Sequence, residues 1–376
     1  MCAALFLRCC GCVHFRAARV RGPVSSLPLL ASCLLVVHET NSIPGDFRVA
    51  SNKSNCQAVV SFEQQYFSES DLHSYWKMFD VPPSPPTVLG PNNVSMPGGE
   101  ATLDIQMITG MGQNINTTFW SFPVGDYIMN WAWAVGNVTR APFTTSISYG
   151  DTETGYEFKT GYGIAYIRRM NLELQKMAVR GYTVFAGAGD AGWTNVGEMG
   201  NDLSNPDPTC GIMRAFFPSE SPYVTSMSAS FVFSPTGSSS DLQEATISVR
   251  GGRSWTTGGG FSNLTGVQSW QAPFVAKYLE QSADTLPPAS MFNASGRGYP
   301  DLVAVGDNNI CIWYGAVFPL GGTSASGPIM AGIASLLNDA LLNKGLPTLG
   351  HFNPTLCVLS SGVVAALLVV LLWAGG

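Results

Sequence analysis

Hydrophobic and polar positions along this chain follow two periods in turn, and each change of period marks an expected element. Phe62, Tyr66, Phe67, Leu72, Tyr75, Trp76 and Phe79 fall at helical spacing and predict a helix over 56–79, which Pro82-Pro83-Ser84-Pro85-Pro86 ends. A loop over 91–99 leads into a second helix carrying Glu100 and Asp104. The pattern then predicts a strand over 116–121, a helix over 127–135, a strand over 145–149, a helix over 163–179 and a strand over 182–187. Gly181 supplies a C-terminal cap between the last two. Residues 194–215 and 234–257 lack strong periodicity, 270–281 reads as a surface helix and 300–305 as a short buried strand. Ile329, Met330, Ile333, Leu336, Leu337, Ala340 and Leu341 mark a last helix. Helices between short apolar strands call for right-handed crossovers, so the expected class is α/β, a parallel sheet flanked by helices in a single large domain.

The last helix begins in Gly321-Gly322-Thr323-Ser324-Ala325-Ser326-Gly327-Pro328, which places Ser324 at a helix N-terminus. Unpaired N–H groups and the positive end of the helix dipole there can stabilise an oxyanion, and small neighbours let a peptide carbonyl reach the hydroxyl. Ser324 reads as a nucleophile or as an ordinary N-cap serine. Glu100 and Asp104 are four residues apart, so on a helix their carboxyls share a face. Such a pair is a solvated face or, in a partly buried site, two acids of which one is pushed to a higher pKa. Asp190 lies just past the strand over 182–187, where functional loops of a parallel sheet are found. The alternative for it is an Asx-turn.

Two peptidase groups carry nearly the serine octet, the subtilisins and the sedolisins, or serine-carboxyl peptidases. None of His14, His38, His73 and His351 is followed by the Gly-Thr that a subtilisin base requires, and His73 lies in an amphipathic stretch that suits a surface or packing role. By contrast, several runs follow the order of the sedolisins over roughly residues 50–355. They are 100–106, Ser146-Ile147-Ser148-Tyr149-Gly150-Asp151, 185–192, 218–224, 258–263, 292–301 and the octet itself. The chain resembles this family. The resemblance implies a subtilisin-like fold and an acyl-enzyme route in which Glu100 takes the proton of Ser324, Asp104 orients Glu100, and Asp190, as a neutral acid, donates to the oxyanion. It implies that Gly258, Gly259 and Gly260 pair with the substrate backbone, that peptides or unfolded polypeptides are the substrates, and that tripeptides leave from free N-termini. Where the family usually has serine, Ala191 stands. The family also implies calcium, but its ligand segment and a prodomain are not recognisable here, so no calcium is expected in this chain. The rival reading is a catalytically impaired, membrane-tethered glycoprotein that uses the fold as a binding module.

Composition narrows the setting. Charged residues are 12% of the chain and the net charge is −6, which argues against a nucleic-acid partner. Arg8, Arg16, Arg19 and Arg21 precede an apolar run, so 1–38 reads as a signal-like or signal-anchor segment, or as a mis-assigned start, with Cys2, Cys9, Cys10 and Cys12 as palmitoylation candidates. The expected peptidase domain is 39–355, truncated at its C-terminal end, and 356–376 is an apolar tail long enough to be a candidate transmembrane segment. Sequons at Asn52, Asn93, Asn116, Asn137, Asn263 and Asn293 point to the secretory pathway. Cys56, Cys210, Cys311 and Cys357 allow one bridge without assigning it. A histidine base, with a pKa of about 6.5, would be protonated in a lysosome-like compartment, whereas an ordinary carboxylate, at about 4.3, keeps an ionised fraction there.

Overall fold

The computed structural model describes residues 54–122, 127–155, 163–195, 213–237 and 242–358. Outside them lie the segment over 1–38, Asn52, Cys210 and nearly all of the apolar tail. The elements are β1 (Cys56–Phe62), α1 (Glu69–Met78), β2 (Thr87–Leu89), α2 (Gly99–Met111), β3 (Asn116–Phe122), α3 (Tyr127–Asn137), β4 (Thr144–Ile147) and β5 (Asp151–Thr152). There follow α4 (Gly163–Val179), β6 (Thr183–Gly187), β7 (Phe216–Phe217), β8 (Thr225–Phe233), β9 (Gln243–Thr246), β10 (Gly260–Gly266), α5 (Ala272–Gln281) and β11 (Gly296–Tyr299). The chain closes with β12 (Leu302–Val305), β13 (Asn309–Trp313), β14 (Ala316–Leu320), α6 (Thr323–Asn343) and α7 (Phe352–Val358).

Seven strands run parallel in the order β12-β8-β6-β4-β1-β3-β2, and β9 joins β8 antiparallel. Successive side chains of a strand point to opposite faces, so a strand covered on both sides must be apolar throughout. Val59, Phe119 and Phe185 accordingly enter a core shared with α1, α2 and α6, while their neighbours Val60, Trp120 and Ala186 enter the opposite core with α3 and α4. The expected α/β class with a parallel sheet between helices is the architecture found. Gly181, at φ +85°, caps α4 as expected.

Two expectations, over 56–79 and over 234–257, are corrected, and most of 194–215 lies outside the described residues. The single helix over 56–79 divides into β1 and α1, because Ala58, Val59 and Val60 are buried on both faces of the sheet, and a short apolar run does not distinguish a buried strand from a helix. The stretch over 234–257 carries β9, which extends the sheet. Strand β8 escapes the hydrophobic pattern because it is rich in serine. Those serines are buried on partners: Ser226 Oγ lies 2.7 Å from Ser219 Oγ, and Ser228 Oγ lies 2.9 Å from Thr257 Oγ1. Helix α6 is apolar enough to cross a membrane by length and composition, but most of it is buried as the central helix of this core.

Pairing of β5 with β7 brings together two acids that the sequence leaves 67 residues apart, Glu153 and Glu220. Glu153 accepts from Ser262 Oγ at 2.5 Å and from the backbone N–H of Asn263 at 3.1 Å. Glu220 is wholly buried, with the Ser262 and Thr265 hydroxyls near its carboxyl but no well-formed hydrogen bond to either oxygen among the described residues. Burial, reinforced by the charge of Glu153, pushes Glu220 up to about 8. A folded-state pKa raised above that of the unfolded chain means that the folded form holds a proton the unfolded form releases. This contribution is complete below about pH 4.5 and is lost progressively as pH rises towards 8, at a cost on the order of a few kcal/mol. Glu220→Gln is expected to raise the melting temperature at pH 7.5 and to leave it nearly unchanged at pH 4.5. Melting curves at the two pH values check this, and an equal shift at both would contradict it.

Candidate active site

Three of the singled-out acids and the serine converge at the carboxyl ends of β4 and β6, where α2 and α6 begin. Glycine sets the approach. Gly322 precedes α6 at φ +133°, and a Cβ there would stand 2.7 Å from Asp190 Oδ2. A Cβ at Gly187 would stand 2.7 Å from Thr323 Oγ1. Larger residues at either position would force apart the loop after β6 and the first turn of α6.

Asp190 is held by that turn. Its Oδ1 accepts from Thr323 N at 2.7 Å and from Thr323 Oγ1 at 2.9 Å, and the same hydroxyl accepts from Gly189 N at 3.2 Å. Burial raises the Asp190 carboxyl above its ordinary range, against the lowering effect of the two Thr323 bonds. Ser324 follows Thr323 as the second residue of α6, so its own N–H has no intrahelical acceptor.

Glu100 sits in the first turn of α2 near the Ser324 side chain, and its Oε1 has no hydrogen-bond partner among the described residues. Burial pushes it up to about 7, with further upward pressure from the charges of Asp190 and Glu63 and relief from Ser324 and Ser148. The sequence reading assumed an ordinary carboxylate, and enclosure accounts for the difference. One helical turn on, Asp104 is fully buried, and its carboxyl is raised further by burial and by the charge of Glu100. Ser148 Oγ lies 2.6 Å from Asp104 Oδ1 and 3.3 Å from the Ser324 carbonyl oxygen. That carbonyl is free of the helix ladder because the residue four places on is Pro328, which has no N–H.

Ser148 and Thr323 are the residues that sequence reasoning passed over. Each had a signal: Ser148 lies one residue beyond the end of β4, where functional groups of a parallel sheet gather, and Thr323 adjoins the expected nucleophile. Gly258 lies beside the Asp190 loop, its N–H 2.6 Å from the Gly189 carbonyl, and a Cβ there would collide with the Ala188 carbonyl. Gly259 and Gly260 are buried next to it, against Pro300 and Met213. Ala191 makes a bridge with Thr256, so the missing serine hydroxyl leaves the loop braced by backbone. His73 bonds the Glu69 carbonyl and His351 the Pro222 carbonyl. Cys56 and Cys311 are free thiols, and burial raises both, and Cys357 with them, above the ordinary thiol range.

Among the described residues no group of three or more His, Cys, Asp or Glu could hold a metal ion, and calcium enters no step below. Chemically, the cluster offers a hydroxyl with an acid near it, a second acid behind the first, and a third acid across the hydroxyl beside a free helix N–H.

No family model matches the chain. It is 33% identical to tripeptidyl-peptidase 1 of Homo sapiens over 319 residues, which is 82% of this chain and 52% of that protein. With the Bos taurus protein it shares 33% over 312 residues, 81% and 51% respectively. The chain thus spans about half the length of the curated relatives it matches. In fold it is similar to a Pseudomonas sedolisin, a serine-carboxyl proteinase solved with two molecules of pseudo-iodotyrostatin. That match has a TM-score of 0.62 at 18% identity and covers 83% of this chain and 82% of the other. By sequence kinship over four fifths of its length, together with this fold, the chain belongs to the sedolisin family of serine-carboxyl peptidases.

Proposed function

We propose that this chain is a serine peptidase with Ser324 as nucleophile, Glu100 as general base, Asp104 as the residue that positions it and Asp190 as oxyanion donor. The observation that carries the proposal is the convergence on the first turn of α6, where Ser324 lies, of Asp190 through Thr323, of Asp104 through Ser148, and of Glu100 one helical turn before Asp104. Ser324 Oγ attacks the peptide carbonyl carbon while its proton passes to Glu100. The carbonyl π electrons move to oxygen, which receives hydrogen bonds from the protonated Asp190 and the Ser324 N–H. Collapse breaks the C–N bond, and Glu100 returns the proton to the departing amine. Water, deprotonated by Glu100, then hydrolyses the acyl-enzyme and restores the serine.

The two acids act in opposite protonation states, and their mutual repulsion favours that division. A proton on Asp190 removes one of the charges that hold Glu100 up. Activity therefore opens as Glu100 ionises and closes as Asp190 loses its proton. The protons held by Asp190 and Glu220 suit an acidic compartment of the secretory pathway, such as the lysosome, where Glu100, pushed up to about 7 by burial, supplies only a small ionised fraction as base. Asn93, Asn116, Asn137 and Asn263 are exposed and open to glycosylation, while Asn293 is half-buried with its Nδ2 donating to the Ser262 carbonyl at 3.0 Å. Substrates are peptides or unfolded polypeptides, and release of tripeptides from free N-termini is the specificity that the relatives' name supports.

A serine-directed phosphonate is expected to label the wild-type chain and not Ser324→Ala, as read by mass spectrometry. Labelling that persists in the variant would remove Ser324 from the mechanism. Glu100→Gln is expected to lower kcat by about 10²–10⁴ with little loss of thermal stability. Asp190→Asn should keep more activity than Asp190→Ala, for which one lost donor costs roughly 2.7–4 kcal/mol. Turnover of a peptide substrate by the three variants checks both, and full activity of Glu100→Gln or Asp190→Ala would contradict the assigned role.

A further inference from the structure

Beside the Glu100 helix stands an aromatic surface that the catalytic cluster does not use. Hairpin β13–β14 runs straight into the octet and turns at Tyr314-Gly315, with φ of +50° and +73°. Tyr314 is 63% exposed in that turn, a left-handed conformation that a bulky residue adopts at a cost. The turn is held by a buried acid: Asp71 accepts from Tyr314 N and Gly315 N, both at 2.9 Å. Farther along, Gln106 of α2 accepts from Ile312 N at 2.9 Å and donates to the Ile312 carbonyl at 2.7 Å. The fold thus fixes rigidly a hairpin whose outer side chains are exposed.

Trp313 connects this surface to the site. Its ring lies 3.6 Å from where a Cβ of Gly99 would be, one residue before Glu100, and its Nε1 donates to the Pro97 carbonyl at 2.9 Å. Phe318 stacks edge-on to it with ring centroids 5.5 Å apart, and Tyr314 lies 5.6 Å from it on the other side. Phe318 remains 39% exposed, and Met96, next to Pro97, is 63% exposed.

We infer that Trp313, Tyr314, Phe318 and Met96 form the docking surface for the part of a polypeptide substrate that follows the scissile bond, with a preference for apolar side chains. The inference rests on the peptidase reading and deepens it. Its direction follows from the chemistry. Glu100 must return the proton to the leaving nitrogen, so the leaving segment begins at Glu100. The Asp190 loop, held by Thr323 next to Ser324 and with Gly258 against it, receives the carbonyl oxygen and the acyl part on the proposed mechanism. A chain departing from Glu100 next meets Gly99 and the Trp313 ring above it.

The test compares two substrates on the full-length glycosylated protein. One is a tripeptide with a small fluorogenic amine and no residue beyond the scissile bond; the other is the same tripeptide continued by four residues including Phe and Leu. The variants are Tyr314→Asn, which suits the left-handed turn better than tyrosine, and Phe318→Thr, which keeps a strand-forming residue. The ratio of kcat/KM, long over short, is expected to fall roughly five- to tenfold in each. A ratio unchanged in both variants, with the short substrate turned over, would overturn the docking surface and leave the peptidase standing. No turnover of either substrate by the wild-type chain would overturn the peptidase reading itself, and the inference with it.

Discussion

Three carboxyl groups enclosed around one serine cannot all be charged, and that repulsion is the constraint on which the site depends. Burial raises Glu100, Asp104 and Asp190 alike, and no basic side chain figures among the influences on them. Protons must therefore be shared within the group, whose apparent titration belongs to the set and not to one residue. Nucleophilic chemistry at Ser324 needs the remaining negative charge on Glu100 and a proton on Asp190. Hydrogen bonding helps to set that distribution. Glu100 lies in a first helical turn, where the dipole favours an anion, and the nearby Ser324 and Ser148 hydroxyls work against the upward push of burial.

The fold is what keeps these acids close. Small residues at the crossing points let backbone stand against backbone, at Gly187 and Gly322 on either side of Thr323 and at Gly258 against Ala188. Each close approach fixes a group that the chemistry uses. The same logic appears away from the serine, where Glu153 and Glu220 share a buried pocket behind β5 and β7. Both clusters favour retained protons, so the pH that keeps Asp190 protonated on the proposed mechanism also suits the proton on Glu220.

Much of this was legible in the sequence, for physical reasons that differ by element. Helix α4 and strand β6 were readable because amphipathic spacing, a glycine cap and a short apolar run coincide there. Glu100 and Asp104 stood out by their spacing of four, and Ser324 and Asp190 by their glycine-rich settings, but each of those patterns also fits a solvated face, a cap or an Asx-turn, and roles for them came only with the resemblance to the sedolisins. Strand β8 was not readable, because buried serines that satisfy one another resemble a polar loop. Nor was the β13–β14 hairpin, since Tyr-Gly is a poor match to the Asn-Gly expected of its turn, and the stabilising Asp71 lies 243 residues away. Burial of the carboxyl pair, and so the upward push on Glu100, depends on β1, β4 and α6 meeting around it, which no local pattern records.

The division of protonation between Glu100 and Asp190 is tested most directly by the pH profile of kcat/KM for the wild-type chain and for Asp190→Asn, measured on one peptide substrate. An amide at position 190 is a permanent neutral donor, and Asp190 is already neutral at the pH where Glu100 ionises. The profile of the variant is predicted to lose its alkaline limb and to keep its acid limb in place. An alkaline limb that survives in Asp190→Asn, or an acid limb that moves by a full pH unit, would contradict the account.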